Sequence, residues 1–220
     1  MPKFSDFRNS LKTRTLHIAV AGNIGAGKTT LVNRLSSHFG WKAQYEAVDN
    51  NPYLEDFYAD MARYSFPLQI YFLNSRFEQI REIRSQDENV IQDRTIYEDA
   101  FIFALNLRDS GKMTPRDYDN YRRLFDSMSD VIDPPDLLIY LRASIPTLIE
   151  RIGRRGREYE SGLSIGYLED LNKKYEQWIE GYDAGSLIII DSDKLNFESD
   201  PEDLSVVIRR VDAELFGLFT

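Results

Sequence analysis

Gly22-Asn23-Ile24-Gly25-Ala26-Gly27-Lys28-Thr29-Thr30 is the stretch of this 220-residue chain whose residue types and spacing carry the most chemistry. Gly22, Gly27, Lys28 and Thr29 fit the pattern G-x-x-x-x-G-K-[ST]. The backbone N–H groups of such a loop can cradle a chain of phosphates, because glycines put no Cβ in the way. The dipole of a following helix favours the same negative charge. Lys28 would reach the outer phosphates and the Thr29 hydroxyl would ligate Mg²⁺. The ligand this stretch predicts is a nucleoside triphosphate.

Phosphoryl transfer is mostly positioning and charge neutralisation, so a metal ligand, a base and mobile cations should lie elsewhere in the chain. Asp93 follows Val90-Ile91-Gln92 and occupies a Walker-B position, where it would hold Mg²⁺ directly or through water. Glu46 ends a second short run, and an acceptor hydroxyl needs such a carboxylate within hydrogen-bond reach. Arg142, Arg151, Arg154, Arg155 and Arg157 crowd together with a single acid, Glu150, between them. In a chain of net charge −9 this excess reads as an arginine-rich lid, about 151–162, closing over the transferring phosphate.

These groups need a scaffold. Leu16–Ala21, Lys42–Glu46, Val90–Gln92, Leu137–Leu141 and Leu187–Ile190 read as short strands. Helical patterns separate them: one after the glycine loop, then Tyr53–Tyr64, Phe66–Ser85, Ala100–Leu107, Tyr118–Met128, Tyr167–Glu180 and Pro201–Phe216. Asn50-Asn51-Pro52 and Gly111-Lys112 read as turns, and Ser144 as the cap of a helix with Pro146 in its first turn. The alternation implies an α/β fold with a five-stranded parallel sheet covered by helices on both faces. Ligands of such sheets bind beyond the carboxyl ends of the strands, where the loop 22–30, Glu46, Asp93-Arg94, Arg142 and Asp191 would all lie.

Composition narrows the function. The acidic balance argues against a nucleic-acid binder, and the absence of cysteine removes disulfides, thiol catalysis and zinc–thiolate sites. His17 and His38 lack partner motifs and read as structural. No apolar run is long enough for a membrane span, and cytoplasmic is the default. Residues 1–15 read as a flexible leader before a single domain at 16–220.

The order of motifs closely resembles the deoxynucleoside kinase family, in its deoxyadenosine, deoxyguanosine and deoxycytidine kinase group and its bacterial branch. The resemblance rests on the glycine loop, Glu46, Phe66-Pro-Leu-Gln69-Ile-Tyr71 leading to Arg76, and Asp93-Arg94-Thr95-Ile96-Tyr97-Glu98-Asp99. It continues through Asp136–Leu141 and Arg151–Arg157 with Glu160. It implies a P-loop kinase fold, ATP as donor, Mg²⁺, and a homodimer built on helices after the third strand, for which Phe101, Phe103, Leu105 and Tyr118 would suit. It further implies that Glu46 is the general base for the sugar 5′-hydroxyl, with Arg94 beside that hydroxyl. Tyr58 and Glu160 would bind the 3′-hydroxyl, Gln69 would read the base, Arg155 and Arg157 would act on the phosphates, and Arg151 would lie against the donor's base. The family usually has Glu-Arg-Ser where this chain has Asp93-Arg94-Thr95, and the shorter acid favours a water-mediated metal contact.

Gln69 and Arg76 are two helical turns apart, on one face at a separation of about 10 Å. A glutamine amide matches the edge of adenine, and Asp99 can neutralise and orient Arg76. Phe66, Phe72 and Phe103 are candidates for the walls of the base pocket. Within the resemblance deoxyadenosine is taken as the leading acceptor, with deoxyguanosine or deoxycytidine as alternatives that the sequence itself does not rank. A thymidylate-kinase-like enzyme would share the glycine loop and the Asp-Arg element, but needs a basic site for an acceptor phosphate. A GTP-driven switch would carry Asn-Lys-x-Asp and Asp-x-x-Gly, which are absent. A P-loop protein reduced to a binding role would not need Lys28, Glu46, Asp93 and the lid arginines intact.

Overall fold

The computed structural model describes residues 15–46 and 51–217. Residues 1–14 of the leader read at 1–15, and Asn50 of the turn read at Asn50–Pro52, lie outside those residues. Strand β1 (His17–Gly22) leads through the glycine loop into α1 (Lys28–Phe39) and β2 (Lys42–Gln44). Helices α2 (Leu54–Ala59) and α3 (Met61–Ser85) precede β3 (Val90–Asp93). The next helical run starts as α4 (Ile96–Glu98), widens to a π-helix over Asp99–Ala104 and ends as α5 (Leu105–Asp109). Then follow α6 (Pro115–Ser129), β4 (Leu137–Arg142), α7 (Ile145–Arg155), a 3₁₀ turn (Glu158–Gly162), α8 (Ile165–Glu180), β5 (Ser186–Asp191) and α9 (Pro201–Phe216). Among the described residues no helix is long and apolar enough to cross a membrane.

All five strands are parallel, in the order β2-β3-β1-β4-β5. The chain leaves central β1 to one side for β3 and to the other for β4, so a crevice opens at the carboxyl end of β1. Side chains alternate across the strands. Ile18 and Val20 pack with Leu31 and Leu35 of α1 and Val207 and Val211 of α9. Ala19 and Ala21 face the other way, onto Leu171, Tyr175 and Ile179 of α8. A separate apolar cluster joins α2, α3, the α4–α5 run and α6 through residues such as Phe57, Leu68, Ile96, Tyr121 and Phe125. His17 is buried in β1 with its Nε2 2.9 Å from Gln92 Oε1, whereas His38 lies exposed in the last turn of α1.

Several expected boundaries move. The β2 strand stops at Gln44, which leaves Glu46 on the loop beyond it rather than at the strand's last position. The break between the helices after β2 falls at Asp60 and not at Ser65. Asp60 leaves the helical region at φ −145° and its carboxylate accepts from the Arg63 N–H, capping α3. Pro67 therefore sits inside α3 instead of opening a helix. Thr114 caps α6 by accepting from Asp117 N, so that helix starts before Tyr118. Ser144 occupies the cap position of α7, but its hydroxyl does not cap: its backbone N–H is held by Asp193 and its Oγ is shared with Thr147.

Candidate active site

At the carboxyl end of β1 the chain turns through Gly25 (φ 84°) and Gly27 (φ 101°), conformations that suit glycine. A Cβ on Gly25 would lie 2.9 Å from the Leu148 carbonyl oxygen and from Ile152 Cγ1, so α7 can pack directly on the loop. Helix α1 begins with no side-chain cap and no acid in its first turn. Its first N–H groups are orphan donors, which is the arrangement an anion completes. Lys28 is buried, and its Nζ donates to the carbonyls of Gly22 (2.9 Å) and Asn23 (3.1 Å). Burial, aided by nearby Arg94, lowers its pKa to about 8.

Thr29 donates to Asp93 Oδ2 at 2.5 Å, while Asp93 Oδ1 is buried without a partner. Burial raises the Asp93 pKa despite Lys28. A hydroxyl beside an orphaned carboxylate oxygen is a donor set that suits a hard cation such as Mg²⁺. The residues fit the ion.

Glu46 faces the cleft between two guanidiniums, with Oε1 2.8 Å from Arg76 and 3.0 Å from Arg94. Burial opposes its charge, but Arg94 and Arg76 outweigh burial and hold the carboxyl down at about 2. Arg94 follows β3 and is, among the described residues, the one non-glycine with positive φ (71°). Its guanidinium lies 4.4 Å from the Phe103 ring centroid, a cation–π contact. Arg76 is fully buried and grips Asp99 through Nε at 2.5 Å. It is thus a core ion pair, not a helix-surface bridge, and it also reaches the candidate base. Burial pushes the Asp99 carboxyl up to about 6, with Arg76 restraining the rise.

Lys28, Thr29, Glu46, Asp93, Arg94 and Asp99 line one cleft of about 550 Å³, with Arg76 buried behind it. Gln69, Tyr58, Phe72, Phe103, Tyr159 and Glu160 form its other walls, whereas Phe66 does not reach it. Phe103, named in the sequence reading both for the base pocket and for a subunit surface, stands on the cleft wall over Arg94. Gln69 is buried and its Oε1 has no partner. Tyr58 stacks on Tyr159 at 5.4 Å. The lid arginines converge on Glu160, Arg155 through Nη2 to both carboxylate oxygens at 2.6 Å and Arg157 at 3.6 Å. Arg151 is pinned to the Ala26 carbonyl (2.9 Å) and to Ser192, at the loop's outer side. Arg142 stays off the cleft in an exposed pair with Glu176, whereas Arg154 pairs with Glu198 at the cleft's rim.

Two participants had no assigned role in the sequence reading. Glu98 is fully buried and accepts from the N–H groups of Gly22 (3.2 Å) and Thr95 (2.7 Å). Its signal was present, because Thr95-x-x-Glu98 is a capping box. Tyr175 carries no comparable signal, since Leu168, Leu171, Tyr175 and Ile179 read as one apolar helix face.

A phosphate cradle at the switch point of a parallel sheet, opening onto a neutral, aromatic-walled acceptor pocket with a carboxylate at its mouth, defines a P-loop phosphotransferase with a nucleoside-sized second substrate. The sequence profile described as deoxynucleoside kinase matches residues 18–216, and the chain belongs to the deoxynucleoside kinase family. It is 44% identical over 194 residues to the deoxyadenosine/deoxycytidine kinase of Bacillus subtilis, covering 85% of this chain and 88% of that protein. It is 42% identical over 203 residues to the deoxyguanosine kinase of Lactobacillus acidophilus, covering 88% of each. The solved deoxyadenosine kinase of M. mycoides, with products dCMP and a flexible dCDP bound, superposes with a TM-score of 0.81. It shares 31% identity and covers 90% of this chain and 100% of its own. The chain is an ATP-dependent kinase of deoxynucleosides. The nucleotide-switch reading and the thymidylate-kinase-like reading both give way to that family.

Proposed function

We propose that deoxyadenosine is the principal acceptor and that its 5′-hydroxyl receives the γ-phosphoryl group of ATP. The observation that carries the reading is Gln69, a buried amide on the cleft wall whose Oε1 has no partner. An amide pairs its oxygen with an exocyclic amino group and its NH₂ with an adjacent ring nitrogen, the pattern adenine presents. Leaving Oε1 unpaired in the complex would be costly, so bases without an amino group there are disfavoured. Cytosine presents a similar amino-and-ring-nitrogen edge, and the Bacillus relative's name joins the two bases, so deoxycytidine is the second acceptor.

In this reading Glu46 takes the 5′-hydroxyl proton and Arg94 holds both groups in line. Tyr58 and Glu160 bind the 3′-hydroxyl, and Arg155 and Arg157 move from Glu160 to the transferring phosphoryl group. Lys28 exchanges its two loop carbonyls for the donor's outer phosphates. Thr29 and Asp93 would hold Mg²⁺, which when bound neutralises phosphate charge. Arg151 flanks the donor's base. The enzyme works in the cytoplasm as a homodimer through the α4–α6 surface, where Leu124 and Val131 are exposed. Steady-state phosphorylation of the four natural deoxynucleosides tests the acceptor. Deoxyadenosine should give the highest kcat/KM, and a higher value for deoxyguanosine or thymidine would overturn the Gln69 reading.

A further inference from the structure

We propose that Tyr175 is a positioning residue that holds Arg94 in its working orientation and joins it to the mouth of the phosphate loop. The proposal rests on the reading of Arg94 and Glu46 as working groups and extends it to a residue of α8.

The Tyr175 hydroxyl accepts from Arg94 Nη1 at 2.9 Å. Its single proton is directed at two acceptors, the Gly22 carbonyl at 2.9 Å and Glu98 Oε1 at 2.7 Å. The same Gly22 carbonyl accepts from Lys28 Nζ. The Tyr175 hydroxyl therefore ties Gly22 and Glu98 to Arg94, whose Nε lies 3.0 Å from Glu46 in an ion pair. Glu98 braces it from beneath, because Oε1 also accepts from Gly22 N while Oε2 accepts from Thr95 N.

Arg94 needs such a brace for a physical reason. Its backbone is in the left-handed region, which costs a non-glycine residue of order 1 kcal/mol and persists only where surroundings enforce it. Phe103 below its guanidinium restrains the plane but offers no directional bond. Tyr175 supplies one from a fully buried position, stacked on Tyr140 at 5.7 Å. Burial raises the phenol's pKa far above the working range, so it remains a neutral donor and acceptor. A core tyrosine needs one partner to be satisfied; this one has three, all belonging to the reacting end of the sheet.

The test is Tyr175→Phe, which removes one oxygen and keeps the ring packing, analysed with Arg94→Lys and the double variant. Tyr175→Phe should lower kcat at least tenfold with both KM values within threefold of wild type. In the Arg94→Lys background the same replacement should cost less than threefold, because the oriented group is already gone. A Tyr175→Phe enzyme with wild-type kcat, or with raised KM and intact kcat, overturns the proposal. Multiplicative losses in the double variant also overturn it, since Tyr175 would then act through the core alone. An Arg94→Lys enzyme of wild-type activity would instead refute the underlying role of Arg94. Should Tyr175→Phe not fold by circular dichroism, Glu98→Gln is expected to give the same kcat-selective loss, and full kcat there refutes the brace.

Discussion

Glu46 lies where two guanidiniums meet, and that contact sets its chemistry. A carboxyl held at about 2 stays ionised throughout the working range but keeps a captured proton weakly. Such a base suits a loose transition state in which the proton leaves late. Glu46→Gln should lower kcat by roughly 10²–10⁴-fold while nucleoside affinity, measured by equilibrium titration, changes little. Retention of more than a tenth of wild-type kcat would remove Glu46 from the role. Arg76 ties this residue to the base-reading end, since one side chain binds both Glu46 and Asp99. Replacing Arg76 or Asp99 alone strands a buried charge and should mainly cost activity. Arg76→Met with Asp99→Ala opens the space a thymine methyl needs. The thymidine-to-deoxyadenosine ratio of kcat/KM should rise at least about tenfold, roughly 1.4 kcal/mol. An unchanged ratio in a folded, active double variant would move selectivity to Gln69 and the aromatic walls.

Among the elements, α7 and the 3₁₀ turn after it carry the arginines of the proposed lid. Their arginines rest on Glu160, a partner they can exchange for phosphate, so their contribution should grow as charge moves to the transferring group. Arg157→Ala is expected to lower kcat far more than it raises the KM for ATP. A raised KM with kcat intact would reduce the lid to a nucleotide clamp. The glycine loop, Asp93-Arg94 and the lid were legible because their chemistry depends on residues close in sequence. Glu98 and Tyr175 meet only when β1, β3 and α8 are assembled, and no local spacing encodes that meeting. The same distinction explains the elements: α9 shows a clear start through Asp200 and Pro201, whereas the π-helix over Asp99–Ala104 has no such local signal. The break at Asp60 lies inside a stretch whose apolar spacing continues as a helix on both sides, so periodicity alone does not mark it.

For the whole molecule, the sheet carries an acid-sensitive point far from the chemistry. His17 begins β1, and burial lowers its pKa from 6.5 to about 4. Protons bind the unfolded chain first, so stability should be lost as pH falls from about 6.5 and the loss should be complete near 4. Over that window it amounts to about 3 kcal/mol. Urea unfolding of wild type and His17→Gln between pH 7 and 4 checks this. The variant should start less stable and lose less, and parallel curves would exclude His17 as the cause. The separation of the apolar clusters has a further consequence. The sheet clusters hold the donor loop, Asp93 and the root of Arg94, while the helical cluster of α2, α3 and α6 backs Leu68, Phe72 and the pocket they line. The two halves of the reaction therefore rest largely on different apolar foundations, stitched together by Arg76 and by Phe101, which packs against both the helical cluster and the α8 side of the sheet. Changes that repack α2, α3 and α6 should therefore alter nucleoside preference more than the energy-transfer half, and a laboratory lineage selected on a new nucleoside analogue should gather its changes there.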